Sequence, residues 1–207
     1  PVDGSFPDSV LEDTVICPYN QPGMAEALIE KYASELAAII VEPVLGSMGM
    51  VPATKEFLQA LRDSATKHSI ILIFDEVISL RIDQGGAQSF FDITPDLTCM
   101  GKIIGGGLPV GAVGGKSELM KLFSPEIPEP VMHASTFSGN ALTMSAGLPA
   151  MRAFDEKECI RINDLAEKLR TGFNQAFSQA KILGNANGIG SLTNINFSNK
   201  PLNDSRD

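Results

Sequence analysis

The sequence predicts an α/β fold, a mostly parallel sheet flanked by helices, and three observations carry that prediction. Two continuous apolar runs, residues 36–41 (LAAIIV) and 70–74 (IILIF), have the length and composition of strands covered on both faces. An amphipathic stretch from Thr54 to His68 separates them and another begins at Pro22, so helix and strand alternate as they do around a parallel sheet with crossover helices. Each run also ends in a carboxylate, Glu42 after the first and Asp75-Glu76 after the second.

Residues 1–21 are rich in Pro, Asp and Asn and read as a surface segment, with 14–17 a short strand. Pro22 suits the first turn of a helix, along which Met24, Leu28 and Tyr32 share one face until it ends near Ser34. The glycines and methionines of residues 45–50 form a loop able to bring backbone close to a ligand. Thr54 is the expected N-cap of the next helix, with Phe57, Leu58 and Leu61 turned to the core. A second short strand, residues 97–100, runs into Gly101-Lys102 and three glycines. The carboxyl ends of parallel strands face a shared crevice, so Asp75 and Lys102 are expected to meet there.

Residues 110–113 read as a further strand, 116–123 as a short helix, and the proline-rich 125–130 as an exposed connection. A long helical region over 141–180 should break near 154–158, and its second part carries a core-facing stripe of Ile162, Leu165, Leu169, Phe173 and Phe177. From Lys181 the composition changes to glycine and asparagine, followed by a strand pattern over 191–197. Residues 1–180 therefore read as a partial large domain with its trailing helices, and 181–207 as the opening of a small α+β C-terminal domain. The start at Pro1 and the stop after an apparent strand read as cuts through a larger protein.

With 207 residues, 43% hydrophobic and 20% charged, the chain has enough apolar side chain for a sizeable core. A net charge of −9 argues against a nucleic-acid or anionic membrane surface and leaves small molecules or protein as partners. Cys17, Cys99 and Cys159 are odd in number, far apart and without metal spacing, which points to a reducing compartment; with only two histidines no metal site is expected. No apolar run approaches the roughly 18–20 residues that span a bilayer, and no signal segment is visible, so a soluble, cytoplasmic protein is expected.

Lys102 stands between a glycine and the flat apolar segment Ile103-Ile104-Gly105-Gly106-Gly107, where it belongs to no solvated charged face. It is either a lysine snorkelling out of a turn or an amine of lowered pKa that forms a Schiff base with a carbonyl. The glycines make neither a phosphate loop, whose lysine follows its glycines, nor a GxGxxG dinucleotide site. Asp75 is either a cap or surface acid or, closing an apolar strand, the partner of a buried cation. A protonated pyridine nitrogen is such a cation, and a Schiff-base lysine with an aspartate at the pyridinium is what pyridoxal phosphate chemistry requires.

The chain resembles the class III aminotransferases of fold type I and, within that family, its aminomutases. The residues that carry the resemblance are Glu42-Pro43-Val44 with Gly46 and Met48-Gly49, Phe74-Asp75-Glu76-Val77, Gly85-Gly86-Ala87-Gln88, Thr94-Pro95-Asp96-Leu97, the run from Gly101-Lys102 to Gly111-Ala112, and Thr136 with Ser138-Gly139-Asn140. The resemblance implies a pyridoxal 5'-phosphate cofactor, with Lys102 on its aldehyde, Asp75 at its pyridine nitrogen and Val77 against one face of the ring. It implies Glu42 behind that shell and Ser47 near the phenolic oxygen, where the family's aminomutases carry Asn and many of its aminotransferases an acid. Thr136, with Ser135 beside it, would reach the cofactor phosphate of a second subunit, which implies a homodimer. The expected activity is amino-group transfer, as aminotransferase or aminomutase, on a small amino acid or amino aldehyde. The alternative is a truncated or degenerate relative without catalysis, at most a weak cofactor-binding or interaction protein.

Overall fold

The structure, a computed structural model, describes residues 7–198 and Leu202. Helices α1 (Asp8–Glu12) and α2 (Pro22–Tyr32) precede strand β1 (Ala38–Val41), and the short β2 (Val44–Leu45) and β3 (Val51–Pro52) form a hairpin. Then come α3 (Lys55–His68), β4 (Ile71–Asp75), α4 (Gly86–Phe91), β5 (Leu97–Gly101), β6 (Gly111–Gly115) and α5 (Ser117–Met120). The described chain closes with α6 (Ala141–Ala153), α7 (Glu156–Ala180), β7 (Asn185–Asn187) and β8 (Asn194–Asn196). The central sheet has the order β1-β4-β5-β6; its first three strands are parallel and β6 runs antiparallel to β5. A mostly parallel sheet flanked by helices is the expected fold class. No helix of the described residues is long and apolar enough to cross a membrane.

The core lies between β4 and the pair α2–α3. Leu72 and Phe74 of β4 are fully buried and pack with Phe57, Leu58, Leu61 and Ala65 of α3 and with Ala25 and Ile29 of α2. Each such Leu or Phe contributes roughly 1.5–3 kcal/mol through burial. The Thr54 side chain caps α3 by accepting from the Phe57 N–H at 3.2 Å, and Ser69 ends the helix in the left-handed conformation, φ 57°.

Several expectations need correction. Residues 14–17 run extended without strand pairing. Strand β1 is not covered on both faces: it is an edge among the described residues, and Ile40 is 65% exposed. The buried face of α2 is Ala25 and Ile29, one position round from the Met24 face, and Met24 is exposed. The apolar stripe of α7 is not buried either. Leu165 and Leu169 face out and Ile162, Phe173 and Phe177 are only half-buried, while Cys159 and Arg170 are buried where the helix packs on the 3-10 turn Ser79–Ile82 and on β7. The break between α6 and α7 falls where expected, with Asp155 capping α7 by accepting from the Glu158 N–H at 2.8 Å.

Asp96 ties three elements together at the amino end of β5. Its carboxylate, 6% exposed, accepts from the Leu72 N–H at 2.7 Å, from Arg62 of α3 at 3.0 Å and from Lys116 beyond β6 at 2.6 Å. Burial alone would raise its pKa; the Leu72 N–H, Lys116 and Arg62 more than offset that and hold the carboxyl below its ordinary range. A depressed acid stabilises the fold above its unfolded-state pKa and loses that contribution as pH falls through the folded-state value. Asp96→Asn should therefore cost about 2–3 kcal/mol in urea unfolding at neutral pH, less than a fully buried pair because Lys116 is half exposed. The gap between variant and wild type should close as pH falls below about 4, the ordinary aspartate range.

Candidate active site

The parallel register of β4 on β5 sets the geometry. Asp75, the last residue of β4, lies opposite Cys99, and Lys102 is three positions further on (102 − 99). The two expected residues thus emerge from adjacent strand ends. Asp75 is half-buried and its Oδ1 accepts from the Val77 N–H at 3.1 Å, while Oδ2 has no hydrogen-bond partner among the described residues. Burial, then the neighbouring Asp75 charge, pushes the Cys99 thiol up. Lys102 is exposed and forms no ion pair among the described residues.

The backbone around Lys102 is tightly specified. Lys102 itself has φ 47°, a left-handed conformation that costs a non-glycine residue roughly 1–2 kcal/mol and persists where its surroundings over-determine it. The turn it opens, Lys102–Gly105, lies directly on α6: a Cβ on Gly147 would come 2.3 Å from the Ile104 carbonyl oxygen, and one on Gly106 2.3 Å from that of Ala146. The Thr143 hydroxyl donates to the Pro109 carbonyl at 3.3 Å, and Asn140 caps α6 by accepting from the Thr143 N–H at 2.9 Å. On the strand side, a Cβ on Gly101 would sit 3.1 Å from Val77. Val77 therefore lies over the backbone that delivers the lysine.

Glu76 holds the far side of the Asp75 loop. It is fully buried and accepts from the Ala87 N–H at 2.5 Å, the Gln88 N–H and side-chain amide at 3.2 Å each, and the Ser79 hydroxyl at 3.3 Å. Burial pushes its pKa up, and the Ala87 and Gln88 donors counter part of that rise. Gly86, at φ 77°, must be bare, since a Cβ there would stand 2.7 Å from the carboxylate. This clamp was not foreseen. Its only sequence signal is an acid beside Asp75 followed, ten positions on (86 − 76), by a glycine pair.

Glu42 follows β1, next to Asp75 in the sheet, and its Oε2 accepts from the Gly46 N–H at 3.0 Å. Its backbone carbonyl accepts from the Tyr19 hydroxyl at 2.8 Å, and burial, then the Glu42 charge, drives the Tyr19 pKa up. A cavity of about 620 Å³ beside β1 is lined by Glu42, Leu45 and Asp75 among others. Ser47 is exposed in the loop joining β2 to β3. Ser135 and Thr136 lie in the exposed stretch 131–139; Ser135 bonds to Ser138 at 3.0 and 3.1 Å, and no described hydrogen bond joins either residue to Asp75 or Lys102.

The described residues thus form an α/β sheet with a lysine and an aspartate at neighbouring carboxyl ends. The chain belongs to the class-III aminotransferase family, whose sequence pattern matches residues 7–205. It is 41% identical over 206 residues to a glutamate-1-semialdehyde 2,1-aminomutase of Desulforamulus reducens, covering 99% of this chain and 47% of that protein. Among solved structures, an omega-transaminase from Sphaerobacter thermophilus superposes with a TM-score of 0.93 at 46% identity, covering 100% of this chain and 47% of that one. A transaminase with PLP bound superposes at 0.90 with 33% identity, covering 94% and 46%. The chain spans about half the length of the curated relatives it matches.

The glycine contact under Lys102 is open to test. Gly147→Ala should destabilise the protein by about 1–3 kcal/mol, because the added methyl meets a backbone carbonyl that cannot step aside. Gly172→Ala, also within a helix but with nothing within 4 Å, should stabilise by about 0.5–1 kcal/mol. Equal effects of the two substitutions in thermal unfolding would contradict the close approach of α6.

Proposed function

We propose that this chain carries the lysine and carboxylate of a pyridoxal-phosphate aminotransferase acting on a small amino acid or amine. The observation that carries the reading is the delivery of Asp75 and Lys102 from adjacent parallel strand ends, with Asp75 Oδ2 and the Lys102 amine both unengaged among the described residues. The residues fit the cofactor: an accessible amine, a carboxylate oxygen without a donor among the described residues, and the apolar Val77 lying against Gly101. When bound, pyridoxal phosphate supplies an aldehyde that captures amines and a ring that draws electrons from the substrate carbon. Lys102 Nζ would hold the aldehyde end of the cofactor and, when free, would take and return a proton as base and acid. Asp75 would face the ring nitrogen and favour its protonated form. Glu42 holds the Gly46 N–H, and so fixes the start of the loop from which Ser47 presents its hydroxyl.

Ser135 and Thr136 would serve the cofactor phosphate of a second copy in a homodimer. Their stretch supports this, since Met132 and Phe137 beside them are 82% and 78% exposed and have the character of an interface. Residues 1–180 and 181–207 fit a large domain with the opening of a smaller one, and three unpaired cysteines suit a cytoplasmic setting. The 46% identity to an omega-transaminase over the whole chain, against 41% to an aminomutase, favours the aminotransferase over the aminomutase. Nothing in the site favours the non-catalytic reading.

In the full-length protein that contains this chain, Lys102→Ala should abolish amino transfer while leaving the fold intact. Asp75→Asn should retain pyridoxal phosphate but lose on the order of 100-fold or more in kcat, equivalent to about 2.7 kcal/mol. Turnover near the wild-type rate in Asp75→Asn would remove that residue from the mechanism.

A further inference from the structure

The loop that carries Ser47 is gripped at its far end by the trailing hairpin, through a residue the proposed chemistry does not use. The side-chain amide of Asn187, in β7, donates to the Gly49 carbonyl at 2.6 Å and to the Met50 carbonyl at 3.3 Å. Two carbonyl oxygens facing one terminal atom require that atom to be nitrogen, so the orientation of the amide is fixed by its partners. The Asn187 Oδ1 then accepts from the Asn196 amide, whose own oxygen accepts from the Asn194 amide at 2.6 Å. These residues share one face of the ribbon: Asn187 pairs with Asn194 and Asn185 with Asn196. Each amide orients the next, and the series ends on the loop.

The loop requires such a hold. Gly49 at φ 93° and Met50 at φ 53° are both left-handed, and in Met50 that conformation is unfavourable. It turns both carbonyls toward the hairpin, where without Asn187 they would lose their side-chain donor. A Cβ on Gly49 would meet Leu202 at 2.8 Å and touch Asn196 Oδ1 of the ribbon at 3.7 Å. The other end of the loop is held by Glu42 on the Gly46 N–H and by Ile78, which would collide with a Cβ on Gly46 at 1.9 Å. Ser47 and Met48 are thus the exposed residues between two clamps, one built on the sheet and one on the hairpin 137 positions away in sequence.

We infer that Asn187 is a positioning residue: it holds the far end of the loop whose near end is fastened to Glu42 beside Asp75, and so sets where Ser47 stands at that end of the sheet and tunes ligand affinity rather than the rate of chemistry. The kinetic part of this inference rests on the proposed amino transfer; the brace does not.

The test uses the full-length protein with pyridoxal phosphate, comparing Asn187→Ala, Ser47→Ala, their double variant and Asn185→Ala. Asn185 lies on the same ribbon but bonds to Ser198 rather than to the loop, so its loss weakens the hairpin without releasing Ser47. Asn187→Ala should raise KM for the amino donor about tenfold with kcat within about twofold, the pattern of lost uniform binding. Asn185→Ala should change neither. If Asn187 acts through Ser47, the double variant should be no worse than the weaker-binding single variant, whereas multiplied effects would mean independent roles. An unchanged KM in Asn187→Ala, or multiplied effects, overturns the inference. Amide hydrogen exchange, which needs no turnover, reads the brace directly: exchange across residues 46–50 should accelerate in Asn187→Ala and not in Asn185→Ala. Should the wild type transfer no amino groups, the proposed function fails while accelerated exchange still upholds the brace, and unaccelerated exchange refutes it.

Discussion

The pairing of β4 with β5 is the constraint on which the rest of the site depends. Parallel pairing with Phe74 opposite Thr98 and Asp75 opposite Cys99 brings a carboxylate and, three residues beyond its neighbour, an amine to one end of the sheet. A one-residue slip would turn every side chain of β4 to the other face and put Leu72 and Phe74, both fully buried, into the place of their half-buried neighbours. The register is therefore secured by the core, and the site inherits its precision from packing that has no part in chemistry.

Two buried carboxylates reinforce that register from opposite ends. Asp96, before β5, takes the Leu72 N–H and two cations, and its own N–H donates to the Leu72 carbonyl at 2.8 Å, so the start of β5 is locked to β4. Glu76, after β4, meets only uncharged donors, and its N–H donates to the Cys99 carbonyl at 2.9 Å. The charged partners lower one pKa and burial raises the other, yet both acids do the same mechanical work. Between them Asp75 keeps an oxygen unengaged among the described residues, and Lys102 is held in an unfavourable backbone conformation by the glycine contact with α6. Fully satisfied acids on either side leave the half-buried one between them available for a ligand.

Local patterns made much of this legible in the sequence. The apolar run 70–74 specified β4 because a buried strand needs few polar residues, and Thr54 with Phe57, Leu58 and Leu61 specified α3 to its cap. Lys102 stood out because, between a glycine and a flat apolar segment, it belongs to no solvated charged face. What failed depended on neighbours that a pattern cannot name. The run 36–41 reads as covered on both faces, but whether anything packs over Ile40 is not written in its composition. The stripe of α7 follows helical spacing, while the side that is buried was decided by Arg170, whose guanidinium takes the Gly190 and Leu192 carbonyls at 2.9 and 2.7 Å. The Glu76 clamp and the asparagine series needed three dimensions altogether, since Asn187 and Gly49 are 138 positions apart.

The central claim, that the amine delivered by this register is the one that holds the cofactor, is tested most directly by chemical trapping. The full-length protein, loaded with pyridoxal phosphate, reduced with borohydride and digested, should carry the phosphopyridoxyl mass on the peptide containing Lys102 and on no other. Label on Lys116 or Lys121, or a protein that gives no labelled peptide while remaining folded, would contradict the account.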